Sequence, residues 1–252
     1  MQNKGMTIDI PVLLAVFAHP DDETFRPGGT LALLAQRGVK VHLLTLTHGE
    51  AGSCGEPPLC TPDELPGVRE RELRCACAAL GIEAPNLLDY PDGHLADVNP
   101  ELMIAKILTI ARQVQPQVLL SFGSDGLSGH PDHIAVGQWA AKAYSRVEDI
   151  AALYTVAVPQ SLVTQMGMKQ LHPVPDETIT LKVYVSPVWE MKQTAMRCHA
   201  TQWSSSPLLS APAERQRLFF GHEYFMRSAV RCSADDFLPE ILQGEQHVDR
   251  KI

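Results

Sequence analysis

The segment PVLLAVFA, residues 11–18, carries no polar side chain. A half-solvated strand alternates polar and apolar residues, so an uninterrupted apolar run this short reads as a strand covered on both faces. The sequence supplies the covering elements. GGTLALLAQRG (28–38) reads as a helix stopped by Gly38, and VKVHLLTLT (39–47) as a second strand. VRERELRCACAALG (68–81) is helical up to Gly81, and a short strand follows around 86–89. Residues 100–115 form an amphipathic helix that Pro116 breaks, and QVLLSFG (117–123) is a further buried strand. Strands alternating with helices predict an α/β fold: a Rossmann-like, doubly wound, mostly parallel sheet with helices on both faces. From about residue 151 two β-like runs, LYTVAVP and TITLKVYV, precede helical segments near 187–202 and 211–220. The C-terminal third is therefore expected to complete the sheet and wall the site. No repeat, low-complexity tract or Ser/Gly linker divides the chain, and residues 1–252 read as one domain.

Composition narrows the partners. The chain is 45% hydrophobic and 20% charged, with a formal net charge of -8. That balance is ordinary for a globular protein and argues against nucleic acid or an anionic membrane as partner. The run at 11–18 is too short for a membrane span and lacks a cleavage-like site. Six cysteines, at 54, 60, 75, 77, 198 and 232, do not form the dense frame of a small secreted scaffold. The spacing of Cys54 and Cys60 matches no common zinc knuckle, and Cys75 and Cys77 cannot share a helix face, so free thiols and a reduced, cytoplasmic setting are expected. A homo-oligomer stays open.

Two polar clusters follow inferred strands. His19-Pro20-Asp21-Asp22-Glu23 comes directly after the first, and His130-Pro131-Asp132-His133 comes after the strand at 117–123. Open α/β sheets bind ligands at the carboxyl ends of their strands, above all where the strand order reverses. If the two strands are neighbours there, the clusters converge. Imidazoles and carboxylates without thiolates suit Zn²⁺, and catalytic zinc takes three protein ligands and leaves a position open. Fe²⁺ or another divalent ion suits the same donors. The surplus groups can move protons or stabilise an oxyanion. Spacing alone does not say which of Asp21 and Asp22 is a ligand.

These motifs resemble those of the LmbE-like, or PIG-L, family of zinc-dependent N-deacetylases acting on N-acetylglucosaminyl compounds. Arg69 and Glu72 in RERELRCACAALG match its R-x-x-E…L-G pattern, and KQTAMRCHATQ extends the resemblance toward the C-terminus. The resemblance implies that His19, Asp22 and His133 bind the metal and that Asp21 is the general base. It implies that His130, oriented by Asp132, polarises the amide oxygen or stabilises the oxyanion. Arg69 is then a substrate contact, and Asp92 in YPDGHL a candidate for a sugar hydroxyl. The implied reaction removes an acetyl group from an N-acetylated amino sugar, a small molecule, leaving acetate and a free amine. The runner-up is a zinc amidase cleaving a thiol-sugar conjugate or another acylated amine. Some family members carry a tyrosine two residues before the first histidine of the second motif, where this chain has Ser128.

A dinucleotide-binding oxidoreductase would need a glycine-rich turn after the first strand, where this chain has AHPDDE. Glu23 is expected to brace a ligand histidine or the loop from behind. His48 and Glu50 read as loop residues, and His199 and Gln202 as structural hydrogen-bond partners of the site loops. The segment 51–67 is a candidate rim of the substrate pocket.

Overall fold

A computed structural model describes residues 10–243 except 205, 207, 210 and 232–235. The first apolar run is strand β1 (Val12–Phe17), and Leu13 through Phe17 have no accessible surface. Parallel neighbours on both sides account for this: β2 (Lys40–Thr47) lies on one, with β3 (Asn86–Tyr90) beyond it. On the other lies β4 (Val118–Phe122), with β5 (Ala152–Ala157) beyond it. Two antiparallel strands, β6 (Leu181–Tyr184) and β7 (His222–Val230), complete a seven-stranded sheet of order β3-β2-β1-β4-β5-β7-β6. The C-terminal third thus finishes the sheet, as the sequence predicts.

Each parallel connection is a helix, as parallel pairing requires. Gly28–Gln36, Leu65–Leu80 and Trp189–Cys198 pack together on one face, and Pro100–Val114 packs against Pro131–Ser145 on the other. The helix Leu65–Leu80 ends where Gly81 adopts φ 73°, a left-handed conformation that spares glycine the Cβ clash. The order runs outward from β1 to β3 and then resumes at β4 on the other side of β1, so it reverses between β1 and β4. In register, Leu13, Leu14 and Ala15 of β1 face Val118, Leu119 and Leu120 of β4. This adjacency brings the two polar clusters to one crevice.

A buried ion pair joins the C-terminal third to the first helix. Lys192 and Glu223 are both buried, with Lys192 Nζ 2.5 Å from Glu223 Oε1. The same carboxylate accepts from the backbone N–H groups of Gly29 (2.8 Å) and Thr30 (2.7 Å), at the N-terminus of Gly28–Gln36. An anion suits that helix end.

The free-thiol expectation needs correction. Cys75 and Cys198 form a disulfide, their Cα atoms 5.7 Å apart, because the helices Leu65–Leu80 and Trp189–Cys198 pack side by side. Cys54, Cys60 and Cys77 are free, and Cys232 lies outside the described residues. The cysteine pattern therefore no longer argues for a reducing compartment. Among the described residues no helix is long and apolar enough to cross a membrane.

Candidate metal and catalytic site

His19 leaves the end of β1, and His130 and His133 follow β4 at the start of the helix Pro131–Ser145. Pro131 suits the first helical position, where no N–H is needed, and His130 caps the helix by accepting from Asp132 N at 3.2 Å. The donor atoms of His19, His130 and His133 lie within 4.8 Å of one another, as do those of His19, Asp92 and Asp132.

Hydrogen bonds fix the histidine tautomers. His19 Nε2 donates to Asp92 Oδ1 (2.8 Å) and faces Asp132 Oδ2 at 3.2 Å. His133 Nδ1 donates to the Gly126 carbonyl at 3.1 Å. The opposite nitrogens, His19 Nδ1 and His133 Nε2, face each other 3.1 Å apart and share a hydrogen bond. Asp22 adds its carboxylate, with Oδ1 3.3 Å from His133 Nε2 and Oδ2 3.7 Å from His19 Nδ1. Three groups that can each offer an electron pair converge here, an arrangement that fits a divalent cation. Their outer nitrogens are held by carboxylate and carbonyl, the usual bracing of metal-binding histidines.

The local field agrees. Burial alone would lower the proton affinity of His19, but hydrogen bonds to Asp132 and Asp92, with Asp22 nearby, push its pKa up to about 10. His133 is pushed down to about 4 by burial and by His19. One positive charge is favoured in this hole and a second is not.

Asp21 has φ 113°, where non-glycine residues are strained at a cost of roughly 1–3 kcal/mol. The surroundings hold it there. Its N–H donates to Glu23 Oε2 (2.9 Å), its carbonyl accepts from Thr24 and Phe25, and its Oδ2 meets Arg69 Nη2 at 3.1 Å. Burial raises the Asp21 carboxyl to about 6 against the downward pull of Arg69.

Glu23 is fully buried and bonds Thr24 Oγ1 and His199 Nε2, the latter at 2.7 Å. Of the two partners expected for Glu23, it braces the loop; the His19 and His133 rings are tied elsewhere. His199 and Gln202 make structural hydrogen bonds, Gln202 to the Ser53 carbonyl at 2.8 Å.

Two expectations meet a different geometry. Asp132 does not orient the His130 ring: its carboxylate is pinned by the N–H groups of Gly93 (2.8 Å) and Leu95 (2.9 Å) and faces His19. It meets His130 through its own backbone N–H, which leaves the neutral His130 ring with its proton on Nε2, as a donor. Arg69 is only 3% exposed and sits beneath the loop, bonded to the carbonyls of Gly49 (2.7 Å) and Pro20. Its guanidinium thus ties the loop together and holds the Asp21 carboxylate. A Cβ on Gly49 would lie 2.1 Å from Arg69 Nη1, so a side chain there is excluded.

Asp92 is buried against His19, and its Oδ2 accepts from Ala51 N at 3.0 Å. Its pKa is held down at about 2: burial opposes this, but the His19 hydrogen bond and charge prevail. Glu50 braces the same turn by accepting from Asp92 N at 2.8 Å, and His48 meets Asp89 at 2.8 Å. Glu72 holds Thr201 through two bonds, of 2.8 and 2.7 Å. Sequence reasoning placed Glu72 in a motif without a role, and the polar Thr201 three residues past Cys198 was the available signal.

Comparisons with known proteins point the same way. Residues 14–144 match the PIG-L family model, described as GlcNAc-PI de-N-acetylase. The chain is 33% identical over 255 residues to a 1D-myo-inositol 2-acetamido-2-deoxy-alpha-D-glucopyranoside deacetylase of Acidothermus cellulolyticus, covering 85% of this chain and 87% of that protein. Among solved structures, a conserved protein from Thermus thermophilus superposes with TM-score 0.65 and 25% identity, over 87% of this chain and 95% of that one. The N,N'-diacetylchitobiose deacetylase of Pyrococcus horikoshii shares the fold, with TM-score 0.61 and 23% identity over 86% of this chain and 83% of that one.

Proposed function

Because the chain belongs to the PIG-L family of deacetylases, we propose that it hydrolyses the N-acetyl amide of an N-acetylglucosaminyl compound, giving acetate and a free amine. The observation that carries this reading is the convergence of His19 Nδ1, His133 Nε2 and the Asp22 carboxylate, with Asp21 one residue away. His19, Asp22 and His133 are the residues that would hold the cation, Zn²⁺ or alternatively Fe²⁺. When bound, such a cation supplies a Lewis acid that polarises the amide carbonyl and eases ionisation of water.

The remaining steps belong to the chain. Asp21, a carboxylate raised toward neutrality, takes a proton from the attacking water. His130 donates its Nε2 proton as a hydrogen bond to the oxyanion that develops on the carbonyl. The C–N bond then breaks, and the proton held by Asp21 or His130 goes to the leaving nitrogen. Arg69 and Glu23 position the base, and Asp92 and Asp132 orient His19. Asp92 already accepts from His19 and from Ala51 N, so we assign it to His19.

The relatives' names suggest the first substrate to try, N-acetylglucosaminyl-inositol. Metal analysis of the purified protein is coupled to acetate release from that compound and from acetylated sugar lipids and nucleotide sugars. Asp21→Asn is expected to keep the metal and lose turnover; full turnover in that variant overturns the base assignment. A metal-free protein, inactive after growth with ample metal, overturns the reading as a whole. The cytoplasmic setting is part of the same proposal, and thiol labelling in intact cells tests it, since a reducing compartment leaves Cys75 and Cys198 open to label.

A further inference from the structure

A cavity of about 220 Å³ opens beside the candidate ligand Asp22. Its walls are mostly apolar: Phe25, Phe122, Leu127, Leu209 and Phe220 line it, with Asp22, Arg26, Ser128 and Ser206 as the polar members. Phe122 stacks flat on the His133 ring, with centroids 4.0 Å apart and planes 7° apart, so the cavity reaches the ligand set itself. For scale, an engineered apolar cavity of about 150 Å³ takes up benzene. An acetyl methyl leaves most of this space empty.

The charge in the wall limits what can enter. Arg26 lies over the Phe219 ring at 4.0 Å, and its buried Nη2 has no hydrogen-bond partner among the described residues. Lys192 and Glu223 lie behind it and offset each other, and Asp22 lines the cavity as well. A hydroxyl-rich sugar would lose its hydrogen bonds among the phenyl rings, and a free charge would lose its hydration. The polar groups of the crevice, Asp21, Asp92 and Glu50, sit on loops after β1, β2 and β3, away from the cavity lining.

We infer that the cavity is an acyl-chain subsite, and that the enzyme also removes N-acyl groups larger than acetyl, with an uncharged aliphatic or aryl body, from amino sugars. The inference rests on the proposed amide hydrolysis and extends its substrate class. The chemistry is unchanged: water adds to the carbonyl, the C–N bond breaks, and the products are a longer carboxylate and the same free amine.

The test uses glucosaminyl-inositol carrying three acyl groups, acetyl, hexanoyl and 6-aminohexanoyl, with amine release measured for each. Hexanoyl adds four methylenes to acetyl, and their burial is expected to raise kcat/KM by at least about tenfold. The 6-aminohexanoyl compound is expected to fall at least about tenfold below hexanoyl, because its ammonium would lose hydration in a largely apolar chamber. Met168→Trp and Leu171→Trp, at wall positions, are expected to cut hexanoyl turnover by about tenfold and leave acetyl turnover within about twofold. Acetyl turnover is also the control that each variant has folded. Equal rates for hexanoyl and 6-aminohexanoyl place the chain in solvent and overturn the inference, as does a hexanoyl rate below the acetyl rate. Acetyl turnover with hexanoyl inert overturns the subsite alone, whereas no hydrolysis of any amide overturns the deacetylase reading beneath it.

Discussion

Replacing Lys192 by methionine tests whether the C-terminal third anchors the first helix. The substitution keeps the length of the side chain and removes one charge. What stays behind is the Glu223 carboxylate, 2% exposed, held by the N–H groups of Gly29 and Thr30. Breaking a buried pair by removing one partner costs about 3–5 kcal/mol. Arg26 still acts on Glu223, which places the expected loss at the lower end, about 3 kcal/mol. For a chain of this size each kcal/mol moves Tm by about 2–4 °C, so Tm should drop by about 6–12 °C. The measurement is urea and thermal unfolding of the wild type, Lys192→Met, Glu223→Gln and the double variant. The double variant should cost less than the sum of the singles by more than about 0.5 kcal/mol, because neither substitution then strands a charge. A Lys192→Met loss under about 1 kcal/mol, or additive singles, refutes the reasoning, since the pair would then hold nothing together.

Asp92→Asn weakens the brace on His19 and should lower metal affinity by about 10–100-fold, read by competition with a chromogenic chelator; unchanged affinity removes Asp92 from the metal site. His130→Ala should lower kcat by about 10²–10³-fold with metal content intact, and equal loss of metal would make it a ligand. Gly49→Ala forces a Cβ into Arg69 at a φ of 72°; it should destabilise the loop and lower kcat more than KM rises, checked by steady-state kinetics beside a melting curve. A variant with wild-type kinetics would show that the Arg69 contact to Asp21 does not matter.

The parallel half of the sheet was legible because its strands are apolar on both faces and its helices carry clear stops. β7 was not read from the sequence, since its burial alternates and one of its inward residues is the charged Glu223. No local pattern announces a carboxylate whose partners lie some 30 and 190 residues away. The two histidine clusters stood out by composition, and their convergence followed once β1 and β4 proved adjacent. The aim of Asp132 did not follow. Its side chain is set by the amides of Gly93 and Leu95, which belong to another loop. The burial of Arg69 did not follow either, because it stands in the charged run RERELR, where Glu70 and Arg74 pair at 2.8 Å on the surface. The Cys75–Cys198 bond joins positions 123 residues apart, and only the packing of two helices brings them together.

The backbone of Asp21 is held by the short helix that follows it, the amide by Glu23 and the carbonyl by Thr24 and Phe25, and its carboxylate is held by Arg69 from the helix Leu65–Leu80. Of these partners Phe25 alone also lines the apolar chamber. On the proposed reading, the base is set by strand ends and the helix behind them, and the acyl subsite partly by Met168, Leu171, Leu209, Phe219 and Phe220 of the C-terminal third. Such a protein can change its diet without relearning its chemistry. Recombining the C-terminal segments of relatives onto this sheet is the direct route to new acyl preferences at an unaltered base.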